Sequence, residues 1–96
     1  MISPIISVDA SAFSHIEVRM NVSAGNTADL YFTTNSESGY DESMVLHFPI
    51  RVYRQFHTYI LDMSAVKKWS GEITQIRFDP TDTQATIEID YIHLLP

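Results

Sequence analysis

The sequence predicts an all-β domain, an antiparallel β-sandwich of the jelly-roll kind. Three observations lead there. Apolar and polar residues alternate along most of the chain, most strictly over His15-Ile16-Glu17-Val18-Arg19-Met20-Asn21-Val22, which is the pattern of a strand with one buried face. The alternating stretches are short and are separated by polar, turn-forming runs. Six or seven such strands in succession match the sandwich and jelly-roll classes.

The elements follow in order. Pro4 to Val8 reads as a short edge strand. His15 to Val22 puts Ile16, Val18, Met20 and Val22 on one face and His15, Glu17, Arg19 and Asn21 on the other. Ser23-Ala24-Gly25-Asn26 is a turn, because Gly and Asn tolerate positive φ. Leu30 to Thr34 is a second long strand, aromatic and β-branched. Asn35 to Ser43 is a polar loop carrying Glu37, Gly39, Asp41 and Glu42. Val45 to Phe48 is a strand ended by Pro49, which has no N–H for a ladder. Phe56 to Asp62 is the next strand, with Phe56 and Ile60 inward and His57 and Tyr59 outward. Ser64 then caps one helical turn that carries Val66 and Trp69 and closes at Gly71. Ile73 to Asp79 and Thr86 to Leu95 are the last strands, joined through Pro80-Thr81-Asp82. The expected core is Ile16, Val18, Met20, Leu30, Phe32, Leu46, Phe48, Phe56, Ile60, Ile76, Phe78, Ile87 and Ile89. Trp69 reads as a hydrophobic plug under the helical turn, with an exposed sugar platform as the alternative.

Composition narrows the function. The chain has 96 residues and a formal charge of −6, so residues 1–96 read as one domain, with no linker or internal repeat to divide it. The acidic balance opposes nucleic-acid binding, since no basic patch offsets phosphate repulsion. No stretch approaches the roughly 20 apolar residues of a membrane span. Cysteine is absent, which removes disulfides, thiol nucleophiles and thiolate metal sites. No secretory leader follows Met1, so the chain reads as cytoplasmic or as a piece of a longer secreted protein. A domain this small leaves little room for a deep, water-excluding active site, and neither GxSxG nor HExxH occurs. A binding or structural module is therefore expected rather than an enzyme.

The outward strand faces carry unusual chemistry. Arg19, Tyr31, His57, Tyr59 and Arg77 stand there with Glu17 and Asp79, while both lysines, Lys67 and Lys68, lie in the helical turn. Planar aromatic and guanidinium groups with carboxylates suit sugars: rings stack on pyranose C–H faces, and charged forks bind adjacent hydroxyls. The competing reading is a cross-strand network that satisfies itself. His15, His47, His57 and His93 show none of the close spacings of a zinc site. Calcium suits an acid-rich chain better, although Glu37-Ser38-Gly39-Tyr40-Asp41-Glu42 lacks the EF-hand order. Asn21-Val22-Ser23 matches the glycosylation sequon.

Six segments in order carry a family resemblance: Ile16 to Met20, Ala28 to Thr34, Phe56 to Met63, Trp69 to Thr74, Ile76 to Pro80, and Ile87 to Ile92. From about Val8 to Leu95 the chain resembles carbohydrate-binding, galactose-binding-like jelly-roll modules of secreted bacterial glycoside hydrolases and surface proteins. The resemblance implies a non-catalytic module that binds polysaccharide or oligosaccharide through Arg19, Tyr31, His57, Tyr59 and Arg77, secreted as part of a larger parent protein. It implies a structural calcium with Asp90 as one ligand. Such modules begin with N-terminal strands that this chain lacks. Missing strands leave an open edge and an uncovered apolar face, so a homodimer or strand-swapped oligomer is expected. The alternative is a ligand-free structural or interaction module of a larger extracellular protein.

Overall fold

The computed structural model describes residues 6–36, 39, 41–52 and 55–96. Seven strands among them form two antiparallel sheets: β1 (Val8–Asp9), β2 (His15–Val22), β3 (Thr27–Thr34), β4 (Val45–Pro49), β5 (His57–Asp62), β6 (Glu72–Asp79) and β7 (Ile87–Leu95). One sheet runs β1-β6-β3-β4 and the other β5-β2-β7. The expected all-β sandwich is what the chain forms. The chain crosses between sheets at each connection except the β3–β4 hairpin. Among the described residues the expected N-terminal edge strand appears as β1, prolonged by the Ile6 N–H donating to the Thr74 carbonyl. Pro4 and Ile5 lie outside the described residues, as do Glu37, Ser38 and Tyr40 of the acidic loop.

The inner faces meet as the alternation requires. Ile16, Val18, Met20 and Val22 of β2 and Ala28, Leu30 and Phe32 of β3 are almost wholly buried. Phe48 and Phe78 stack with ring centroids 6.2 Å apart and planes 4° from parallel. They approach from the two strands flanking β3, on the face where Ala28 contributes only a methyl group. Burial of each large side chain is worth roughly 1.5–3 kcal/mol.

Two bulges bring extra apolar residues inward. In β7, Tyr91 lies opposite Arg19 while Ile89 lies opposite Met20, so Asp90 is the surplus residue. In β6, Gln75 pairs with Thr33 and Ile73 with Thr34, so Thr74 is surplus. Each bulge resets the side-chain phase. Ile89 and Ile92, or Ile73 and Ile76, then face inward despite being three residues apart.

Strand β5 overturns part of the sequence reading. Leu61 pairs with Ile16, Tyr59 with Val18 and His57 with Met20. Paired residues share a sheet face, so Leu61, Tyr59 and His57 point toward the core. Leu61 is buried, whereas Ile60 is 56% exposed. Phe56 lies outward as well, with the Arg19 guanidinium carbon 4.8 Å from its ring centroid. A one-residue phase change flips every side chain of a strand. The cue lay in the continuation Leu61, Met63: the Met63 side chain is fully buried and its N–H donates to the Ser14 carbonyl. Ile87 keeps the expected inward register opposite Val22 but remains 38% exposed on an edge strand.

The helical turn is a 3₁₀ turn at Met63–Ala65, and its cap is Asp62 rather than Ser64. The Asp62 carboxylate accepts both the Ser64 N–H and the Ser64 hydroxyl. Trp69 is the expected plug: it is buried, meets Phe32 edge-on at 5.0 Å, and donates its indole N–H to the Phe13 carbonyl at 2.9 Å. Gly25, at φ +116°, makes the tightest backbone approach. A Cβ there would fall 1.9 Å from the Thr81 hydroxyl oxygen, which donates to the Ala24 carbonyl.

Candidate functional site

The outer face of the four-stranded sheet carries the densest polar arrangement. Tyr31 of β3 lies opposite Arg77 of β6 and Val45 of β4, and Asp29 lies opposite Asp79 and His47. Inward Leu30 and Phe32 force Tyr31 outward, and inward Ile76 and Phe78 do the same for Arg77. The Arg77 guanidinium carbon stands 4.9 Å from the Tyr31 ring centroid, within cation–π range. Its Nη2 donates to Asp79 Oδ2 at 2.9 Å and its Nε to Oδ1 at 3.3 Å. This two-pronged contact fixes the guanidinium plane over the ring.

The arrangement continues onto β4 and the segment before it. The Tyr31 hydroxyl donates to Glu42 Oε1 at 2.9 Å. His47 Nδ1 is 2.6 Å from Asp29 Oδ1, and its Nε2 is 3.5 Å from Glu42 Oε2. Donation to Glu42 pushes the Tyr31 phenol above its usual pKa. The bond to Asp29, helped by the charges of Asp29 and Glu42, holds the His47 proton more tightly than usual against some desolvation. Three carboxylates thus face two cations, leaving one net negative charge with His47 protonated. The face offers an immobilised guanidinium–tyrosine pair ringed by acceptor oxygens.

Of the five expected sugar-contacting residues, the structure brings Tyr31 and Arg77 together on this outer face. Arg19 stands on the outer face of β2, in the other sheet. Stacked sheets are about 10 Å apart, and these two outer faces look in opposite directions. His57 and Tyr59 are corrected from outward to inward. Tyr59 leans on Phe48 at 5.5 Å, and its hydroxyl accepts the Arg51 N–H at 2.9 Å. It braces the segment after β4.

The three-stranded face has its own ion pair. Arg19 Nη1 donates to Asp90 Oδ2 at 2.9 Å, because the bulge delivers Asp90 beside it. The Tyr91 hydroxyl donates to Glu17, and its ring stacks on His93 at 4.3 Å. Asp90, the expected calcium ligand, turns its carboxylate to the Arg19 guanidinium. Asn21 of the sequon lies within β2, half-buried and opposite Glu88.

Sequence reading weighed His47 and Glu42 only as metal ligands and gave Asp29 no role, although alternation places Asp29 and Tyr31 on one face. It passed over a recurring Asp-x-Ser: Asp9 with Ser11, Asp41 with Ser43, and Asp62 with Ser64. In each, the carboxylate accepts both the N–H and the hydroxyl of the serine two residues on, the mark of an Asx turn. The turn at Asp41 shapes the segment that presents Glu42.

Comparison with protein-family models, curated proteins and solved structures finds no match for this chain.

Proposed function

We propose that the chain is a non-catalytic carbohydrate-binding module that takes an uncharged glycan on the outer face of β3, β4 and β6. One observation carries this reading: Arg77 lies over the Tyr31 ring with its plane set by Asp79. A preorganised planar group loses little freedom on binding, and carboxylates keep lone pairs for sugar hydroxyls after accepting one bond each. The net negative charge of the face and the −6 of the chain disfavour uronic or sulfated sugars. Secretion, attachment to a larger parent protein, and kinship with galactose-binding-like jelly rolls belong to the same proposal, as does pairing with a second copy through the edge strands β4, β5 or β7. A structural calcium with Asp90 as one ligand belongs to the proposal too, and it would take that carboxylate from Arg19.

A second reading has its own support. Arg77 and Asp79, His47 and Asp29, and Tyr31 and Glu42 each satisfy one another. A ligand-free structural or interaction module needs no more than that.

Affinity electrophoresis against uncharged and anionic polysaccharides separates the two. Retardation by an uncharged glycan, abolished in Tyr31→Ala and Arg77→Ala variants that keep their far-ultraviolet spectrum, supports the binding module. Silence on every glycan, with unfolding of Arg77→Ala, supports the structural one.

A further inference from the structure

We propose that His47 is a proton-operated latch on the Tyr31–Arg77 face, tying Asp29 to Glu42 as an imidazolium and releasing Glu42 as a neutral imidazole. Its consequence for ligand binding rests on the glycan reading above; the latch itself does not.

Both ring nitrogens face carboxylate oxygens, Nδ1 at 2.6 Å from Asp29 and Nε2 at 3.5 Å from Glu42. Only the imidazolium has an N–H on each side to donate to both. A neutral ring keeps one N–H and turns a lone pair toward the other carboxylate. The short contact with Asp29 is the one it keeps. Asp29 belongs to the paired interior of β3, whereas Glu42 lies on the segment before β4 with a side chain 75% exposed. Glu42 is therefore the side that lets go.

The groups facing His47 from the neighbouring elements act in one direction. Asp29 comes from β3 and Glu42 from the segment leading into β4. No other residue of β4 is titratable. Arg77 and Asp79 of β6 stand one strand further away, beyond Asp29, and neutralise each other. The carboxylates accordingly hold the proton above the ordinary histidine range, so the latch is closed in acid and opens as the solution becomes alkaline.

Opening reaches the face through one bond. The carboxylate that His47 releases is the one that accepts the Tyr31 hydroxyl. Once released, Glu42 keeps its bond from the Tyr31 hydroxyl, and the local net charge becomes one unit more negative. The closed latch keeps the acceptor, the phenol and the guanidinium in one arrangement, and glycan affinity should be greatest there.

The test is an NMR titration of the isotope-labelled full chain from about pH 5 to about pH 9. Ring nitrogens, the Glu42 side-chain carboxyl carbon and the Tyr31 ring are followed together. The expected result is one shared midpoint above the ordinary value for histidine. Asp29→Asn and Glu42→Gln should each lower it by about half a pH unit or more. Glu42 and Tyr31 signals that do not move with the His47 ring would overturn the latch, as would a midpoint indifferent to both variants. In the binding arm, affinity for the retained glycan should fall about threefold or more above the midpoint and lose that dependence in His47→Gln. A flat wild-type binding profile beside an intact titration overturns the coupling to ligand. An intact titration with no glycan retained at any pH supports the latch and overturns the glycan reading.

Discussion

Arg77 and Tyr31 face each other across β6 and β3, with the guanidinium carbon 4.9 Å from the ring centroid and Asp79 gripping its edge. Both project from the outer face of a sheet whose inner face is fully committed to the core. Replacing either with Ala should leave urea-unfolding stability within about 0.5–1 kcal/mol of wild type, as at other surface positions without special geometry. Glycan retardation should be lost in both. A loss of several kcal/mol in Arg77→Ala would instead make the pair a structural brace.

The phase of β5 is open to direct measurement. Leu61→Ala should cost about 2–5 kcal/mol, the range for a buried leucine. Ile60→Ala, at a side chain 56% exposed, should cost about 0.5 kcal/mol or less. Equal losses at the two positions would contradict the observed register.

Tyr59 tests the distinction between site and scaffold. Tyr59→Phe removes the acceptor of the Arg51 N–H and should destabilise by about 1 kcal/mol. It should leave glycan retardation unchanged, since the ring leans on Phe48 inside the sandwich. Weaker retardation at unchanged stability would return Tyr59 to the binding residues.

Gly25→Ala should be among the more damaging single-methyl additions. The position has φ +116°, and the new Cβ would overlap the Thr81 hydroxyl. A loss of more than about 1 kcal/mol is expected from the backbone alone. Adding Thr81→Ala should recover part of it by removing the clash, as read by denaturant midpoints of the single and double variants.

Stability should fall on both sides of a mildly acidic plateau. Serine bonds depress the carboxyls of Asp9, Asp41 and Asp62, and the Asn26 N–H depresses that of Asp82. A group depressed in the folded state contributes fully above its unfolded pKa of about 4, and the contribution is lost as pH falls through the folded value. His47 has the opposite sign. Its contribution is full below the unfolded value of about 6.5 and is lost as pH rises through the raised one. Urea midpoints should therefore peak between about pH 4.5 and pH 6.5. Asp62→Asn should flatten part of the acid limb and His47→Gln the alkaline limb.

Much of the architecture was legible because local periodicity and tertiary burial agreed. In β2, four apolar residues at strict spacing became the centre of a three-stranded sheet, buried completely. For Trp69 the sequence favoured a plug over an exposed platform, and its burial against Phe32 decided for the plug. The alternation also placed Tyr31 and Arg77 outward. It could not do the same for β5, where Phe56, Tyr59, Ile60 and Leu61 supply apolar candidates in both phases. Only the partner strand broke that tie, by setting Leu61 opposite Ile16.

By itself, then, the sequence determined the class: short alternating segments with polar turns make strands, and strands with one apolar face must pair their sheets. It determined the outward direction of side chains wherever the apolar phase was unambiguous. Tertiary structure alone decided which strands share a sheet, and hence that Arg19 and Arg77 look away from each other. It decided that the bulge at Asp90 sets that carboxylate against Arg19. It also decided that Asp29, Glu42 and His47 converge beside Tyr31. The physical reason is common to all three. Periodicity fixes the direction of a side chain relative to its own strand, while the neighbour it meets depends on pairing and register, which distant segments settle by burying their apolar faces together.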